Sequence, residues 1–255
     1  MIPNKISGTS LQSITCQISE GQTIYAEPGK FLWKTHNVAL QTRLSQPAGA
    51  GVQGKAGLVG LAMNMAKREL AGEHLAFEYF TAAGNGLVGF AGAVPGEIKV
   101  LELDGPGWMT ERAAFVAAES SIDFNIAFSG LRAGLRGGNG FILEHFTGAG
   151  TLVIAAAGNF IELNPASYGG TIHVHTSCLA AFQDTLQYSV ARIGGLGAQS
   201  IMNSAFGDGS MVATISGDGT VLIQSVTIRA LADLLARHET RGGGEEHKGG
   251  LGDLF

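Results

Sequence analysis

The chain has 255 residues, 45% hydrophobic and only 15% charged, with 39 glycines and six prolines; that excludes general disorder, and glycines without a three-residue period exclude collagen. A net charge of −5 with no basic block argues against a nucleic-acid footprint, which needs clustered Lys and Arg to release counterions. Two cysteines, Cys16 and Cys178, are too few and too far apart for a disulfide framework or a zinc site; they suit a reducing compartment, as small buried apolar residues.

In chain order, residues 1–10 lack the charged-then-apolar pattern of a signal peptide. No run of about 18 apolar residues follows, so a cytoplasmic setting is expected. The first patterned block, Tyr25-Ala-Glu27-Pro-Gly-Lys-Phe31-Leu32, leads to Val38-Ala-Leu40-Gln-Thr42-Arg-Leu44. Large or β-branched residues alternate there with smaller or polar ones, the period of a half-buried strand. Gly49-Ala-Gly51-Val-Gln-Gly54 has the letters of a dinucleotide fingerprint, but Pro47 separates it from the strand and no βαβ unit follows, so a loop is expected. Residues 56–69 place Leu58, Leu61 and Met65 at helical spacing, with Leu70 next, and predict a short helix. Its expected role is packing against the β body or a neighbouring subunit. The alternative is a peripheral membrane or partner contact, to which Lys67 and Arg68 bring little charge. Phe80-Thr-Ala-Ala-Gly84 then precedes an apolar stretch, Leu87 to Phe90.

The same succession comes back twice. Met109-Thr-Glu111-Arg-Ala-Ala-Phe115-Val116 precedes Ile122-Asp-Phe124-Asn-Ile126-Ala-Phe128, then Phe146-Thr-Gly-Ala-Gly150 and Leu152 to Ala155. His173-Val-His175-Thr-Ser-Cys-Leu179-Ala180 precedes Leu186-Gln-Tyr188-Ser-Val190, then Ile215-Ser-Gly-Asp-Gly219 and Val221 to Ile223. Asp208-Gly209 and Asp218-Gly219 bracket Ser210 to Ser216, a hairpin signal. The expectation is one all-β domain over 1–238, built from three related modules at about 11–92, 93–158 and 159–226. A helix is predicted over 228–238, with Leu231, Leu234 and Leu235 on one face and Arg237 and His238 at the negative end of its dipole. Residues 239–255 read as a flexible Gly-rich tail.

Three residues stand at equivalent places in the modules: Glu27, Glu111 and His175. A pseudo-threefold arrangement would bring them to related positions, as a polar pocket or a subunit contact in which the carboxylates raise each other's pKa. The plainer reading is that each caps a turn or faces water. Glu78 and Glu144 also match, with Ala213 in the third copy. His173 and His175, two apart on one strand, point to the same side and begin a cupin-type metal site. Leu179 and Ala180 stand where a cupin carries its glutamate, and no further ligand histidine follows within the β region. No nucleophile elbow, P-loop, H-E-x-x-H or EF-hand loop is present, so neither an enzyme nor a cofactor is expected.

The segments IYAEPGKFLWKTHNVALQTRL, LAGEHLAFEYFTA and PGEIKVLELD, in that order and followed by Gly194-Gly-Leu-Gly197, resemble the AIM24 family over roughly Ser13 to His238. The resemblance implies a β-sandwich or double-stranded β-helix, similar to the TRAP-like proteins and built by internal duplication. It also implies a trimer for bacterial members. Fungal relatives are mitochondrial and linked to inner-membrane organisation; bacterial members have no settled activity. His173-Val-His175 departs from the usual pattern, no mitochondrial presequence is read, and no residues match those that bind tryptophan or RNA in TRAP. The leading expectation is a non-enzymatic, homotrimeric scaffold with a protein partner. The alternatives are a small-molecule or metal-binding cupin-like protein using His173 and His175, and a peripheral membrane organiser.

Overall fold

The computed structural model describes residues 2–44, 76–129, 141–192 and 211–236, apart from 229 and 233. The readings made for the loop at 49–54, the helix at 56–69, Gly194–Gly197, Asp208-Gly209 and the tail lie outside the described residues. Eighteen strands are described. The first seven are β1 (Asn4–Ser7), β2 (Ser13–Ile18), β3 (Thr23–Ala26), β4 (Phe31–Lys34), β5 (Val38–Leu44), β6 (Ala76–Ala82) and β7 (Gly86–Ala91). Then come β8 (Ile98–Asp104), β9 (Trp108–Glu111), β10 (Phe115–Glu119), β11 (Ile122–Ser129) and β12 (Ile142–Ala155). The last six are β13 (Phe160–Leu163), β14 (Thr171–His175), β15 (Leu179–Gln183), β16 (Gln187–Arg192), β17 (Met211–Ser216) and β18 (Val221–Gln224). The protein is all-β with several sheets, as its alternation predicts. In β11, Ile122 and Phe124 are buried while Asp123 and Asn125 face solvent; in β2, Ile14, Cys16 and Ile18 are buried together.

All strand pairs are antiparallel and fall into a regular scheme. β2 pairs with β7, β7 with β4, β3 with β6, and β6 with β5. Over 98–155, β8 pairs with the C-terminal half of β12, which also pairs with β10, while β9 and β11 flank its N-terminal half. Over 160–224, β13 pairs with β18, β18 with β15, β14 with β17, and β17 with β16. In β4, β10 and β15 the register slips at the second residue, between Phe31 and Trp33, Phe115 and Ala117, and Leu179 and Ala181. Such a bulge bends the strand and re-aims its side chains.

Two further pairings join these stretches. β10 pairs with β3, setting Ala117 opposite Ala26 and Ala118 opposite Tyr25. β15 pairs with β9, setting Ala181 opposite Thr110 and Phe182 opposite Met109. Two six-stranded sheets result, β8-β12-β10-β3-β6-β5 and β11-β12-β9-β15-β18-β13, with β12 common to both. At the ends of the chain stand smaller sheets, β1-β2-β7-β4 and β14-β17-β16.

Three apolar cores lie between the sheets. The first centres on Ile14, Phe80 and Phe90 and takes in Val116 and Val153. The second gathers Phe77, Phe115, Phe124 and Phe146, the Phe115 and Phe146 rings stacking at 4.8 Å. The third holds Leu143, Phe182 and Ile215. Because each core takes in residues from a neighbouring stretch of chain, the stretches pack as one body. Cys16 is buried and Cys178 only half-buried, so the expectation of two buried thiols holds for one. A helix begins at 228 and continues to 236 among the described residues. The Thr227 hydroxyl caps it by accepting from the Ala230 N–H at 3.1 Å. Leu234 and Leu235 on it are more than half exposed. Among the described residues no helix is long and apolar enough to cross a membrane.

Candidate functional site

The corner between β3 and β4 carries Glu27, Pro28, Gly29 and Lys30. Gly29 takes φ 90°, which only glycine adopts at little cost. The resulting turn, closed by the Lys30 N–H donating to the Glu27 carbonyl at 3.3 Å, folds Lys30 back into the body, where it is 3% exposed. Its ammonium donates to the Ala113 carbonyl at 3.1 Å and stands 3.6 Å from Glu27 Oε2. Arg112 Nε approaches Glu27 Oε1, also at 3.6 Å. The first corner is thereby fastened to the second, the 3-10 turn Arg112–Ala114 between β9 and β10.

Glu111 opens that second turn, its Oε2 accepting from the Ala113 N–H at 2.8 Å. His175 does the equivalent at the third corner, Thr176–Cys178, where its Nδ1 accepts from the Ser177 N–H at 3.3 Å. Both side chains offer an acceptor two residues ahead of an unpaired N–H, which is what a turn start requires. Glu27 lacks that role because its corner is a Pro-Gly turn, and it pairs with cations instead.

A third carboxyl joins Glu27 and Glu111 from β12. Glu144 sits opposite Thr110 in the β9–β12 register and is 4% exposed. Its Oε2 and the Thr110 hydroxyl are buried without hydrogen-bond partners. Burial, then the neighbouring charge of Glu27, holds the Glu144 carboxyl well above the ordinary range. Burial raises Glu111 to about 7 against the hydrogen bond from Ala113. Burial also raises Glu27, opposed by Lys30 and Arg112. Three carboxyls face two cations in a low-dielectric corner, and protonation of Glu144 relieves the excess negative charge.

The structure therefore brings together two of the three residues aligned by the sequence, Glu27 and Glu111, and adds Lys30, Arg112 and Glu144. Glu144 was visible as a match to Glu78. Nothing in the sequence marks Lys30 or Arg112, since a lysine beside Pro-Gly reads as a solvated turn. His173 and His175 have separate engagements: exposed His173 meets the Thr214 hydroxyl through Nδ1 at 3.0 Å, while His175 Nδ1 is taken up by Ser177. Among the described residues no group of three His, Cys, Asp or Glu side chains is placed to hold a metal ion. A histidine–carboxylate contact has no signal in the sequence: His145 Nε2 lies 2.9 Å from Asp184 Oδ2, tying β12 to the turn after β15.

Comparison with known proteins gives a consistent picture. The family model described as "Mitochondrial biogenesis AIM24" matches residues 4–226. An uncharacterised protein of Streptococcus pyogenes serotype M6 is 26% identical over 226 residues, 88% of this chain and 86% of the relative. A crystal structure of a Streptococcus pyogenes protein, a structural-genomics target, superposes with a TM-score of 0.74 at 22% identity. It covers 93% of this chain and 100% of its own, and it shows that the fold is shared.

Proposed function

Since the chain belongs to the AIM24 family, of which the matched relative is itself uncharacterised, we propose that it is a non-enzymatic structural scaffold. Three related modules share one body, three copies associate, and the assembly displays a surface to a protein partner. The observation that carries this reading is the use to which the buried ionisable groups are put. Glu27, Lys30, Glu111 and Arg112 hold one corner of the chain to the next through ion pairs, a carbonyl contact and a turn cap. A reacting centre instead presents its acid and base to a cleft; here Glu27, Lys30, Glu111 and Arg112 are engaged with one another and with the chain's own backbone.

Support for three modules comes from the strand scheme, which recurs with the same register slip at Leu32, Val116 and Ala180. The net charge of −5 and the lack of a basic block support a partner other than nucleic acid. A cytoplasmic location goes with this reading. Light scattering in solution at micromolar concentration tests the assembly: a mass near three times 26.3 kDa is expected, and a clean monomer overturns the trimer. Affinity capture from native lysate, with identification of the retained proteins, tests the scaffold role. The same partners are expected with Glu111→Gln and Glu144→Gln, and their loss with both variants folded would mean that the acid cluster acts on a ligand.

A further inference from the structure

Two buried polar atoms beside the second corner have no hydrogen-bond partner. They are Glu144 Oε2 and Thr110 Oγ1, on residues 4% and 0% exposed. The two residues stand opposite each other in the β9–β12 register, so their side chains leave the ladder on one face with Cβ atoms about 5 Å apart. Their oxygens nevertheless do not bond to each other. Two such groups buried bare are strongly destabilising, and native proteins complete them.

The strand scheme does not itself require this pair. At the corresponding place β14 and β17 set Val174 opposite Ala213, both buried and apolar. β3 and β6 set Ala26 opposite Glu78, a half-buried carboxyl with no polar group across from it. Among the described residues, only β9 and β12 set two orphaned oxygens face to face.

The surrounding charges select what completes the pair. Glu27, Arg112, Glu111 and Lys30 all act on Glu144. A cation between the two oxygens would meet the Lys30 ammonium and the Arg112 guanidinium. An anion would meet Glu27 and Glu111. A neutral molecule is left, and it must both donate and accept, because a hydroxyl faces a carboxyl. It must also be small, since both oxygens are out of contact with solvent.

We infer that one water molecule is held between Glu144 Oε2 and Thr110 Oγ1 as a permanent part of the second corner. It donates to the carboxyl oxygen and accepts from the hydroxyl, and both bonds reverse when Oε2 carries a proton. Glu144 and Thr110 supply the two polar partners that a buried water needs at the least. The site goes beyond the scaffold reading and is independent of it, since it lies within one chain.

Magnetic relaxation dispersion of the water oxygen nuclei tests it on the full chain, because the method counts waters that stay bound for longer than the protein tumbles. Thr110→Val with Glu144→Met keeps the volumes and removes both polar groups. That variant is expected to lose one long-lived water with an unchanged circular dichroism spectrum. Thr110→Ser keeps the hydroxyl and is expected to keep the water. An unchanged count in the folded double variant overturns the proposal. A crystal structure of the unaltered protein that shows ordered solvent gives a reading that needs no variant. A water within hydrogen-bond reach of both oxygens is expected there. A direct bond from Thr110 to Glu144, or no water between them, overturns the site.

Discussion

Lys30 shows how much one side chain contributes to the corner. It is the counterion of a half-buried carboxylate and the donor to a backbone carbonyl of the next corner, and it is itself out of water. Lys30→Met keeps the stem and deletes the charge, leaving Glu27 with Arg112 alone. A loss of about 1–3 kcal/mol is expected in urea denaturation. Glu27→Gln should recover part of it in the double variant, because neutral Gln does not need the cation.

Glu111 sets a pH dependence of defined sign. Its carboxyl titrates at about 7 in the folded chain and at its ordinary 4.5 when unfolded. Between those values the folded state binds more protons, so this stabilisation is complete below 4.5 and is lost as pH rises through about 7. Glu27 and Glu144 shift in the same direction. Glu111→Gln should flatten the fall in stability across this window by on the order of 1–3 kcal/mol, read from urea midpoints at successive pH values. Cys16, 1% exposed, has its thiol pushed up to about 12 by burial and then by Glu119. The thiolate is the reactive form, so alkylation of native protein at pH 8 should spare Cys16 and reach it only in denaturant, as mass spectrometry will show.

Among the described elements, the segment joining β7 to β8 has the closest backbone approach at a glycine. Gly96 forms a parallel bridge with Gly158, and a Cβ on it would fall 1.8 Å from the Ala156 carbonyl oxygen. The obstacle is backbone, which cannot swing aside, so Gly96→Ala should cost about 1–3 kcal/mol, measured as a lower Tm. Gly89 offers a contrast. A Cβ there would lie 2.2 Å from Trp33 Nε1, which belongs to a 43% exposed side chain. Gly89→Ala should therefore cost little while red-shifting Trp33 emission as the indole leaves its seat on β7.

The strands were legible where one face is buried. Val38 to Leu44 alternates cleanly and is β5 to the residue, and Ile122 to Phe128 is β11 with one residue added. Leu186 has the pattern of a strand residue, whereas the strand starts at Gln187, because a buried residue closing a turn looks like a strand residue. The candidate site was half legible. Spacing could align Glu27 with Glu111, since both follow from the succession of elements. The burial of Lys30 depends on how one corner meets the next, and that contact spans more than eighty residues of sequence.

β12 has a consequence for the order in which this protein comes apart. Its first half is flanked by β11 and β9, its second by β8 and β10, and it changes sheet where Gly148 and Gly150 take φ 111° and 149°. Amides along it find partners on both sides, in two different sheets, so solvent reaches them only when both sheets part. They should be the slowest to exchange deuterium, and their exchange should track the global unfolding equilibrium. A chain of modules joined only by loops would lose them one at a time. With a single strand woven through two sheets, the middle of this protein should open only as a unit, and a calorimeter should record one cooperative melting event instead of three.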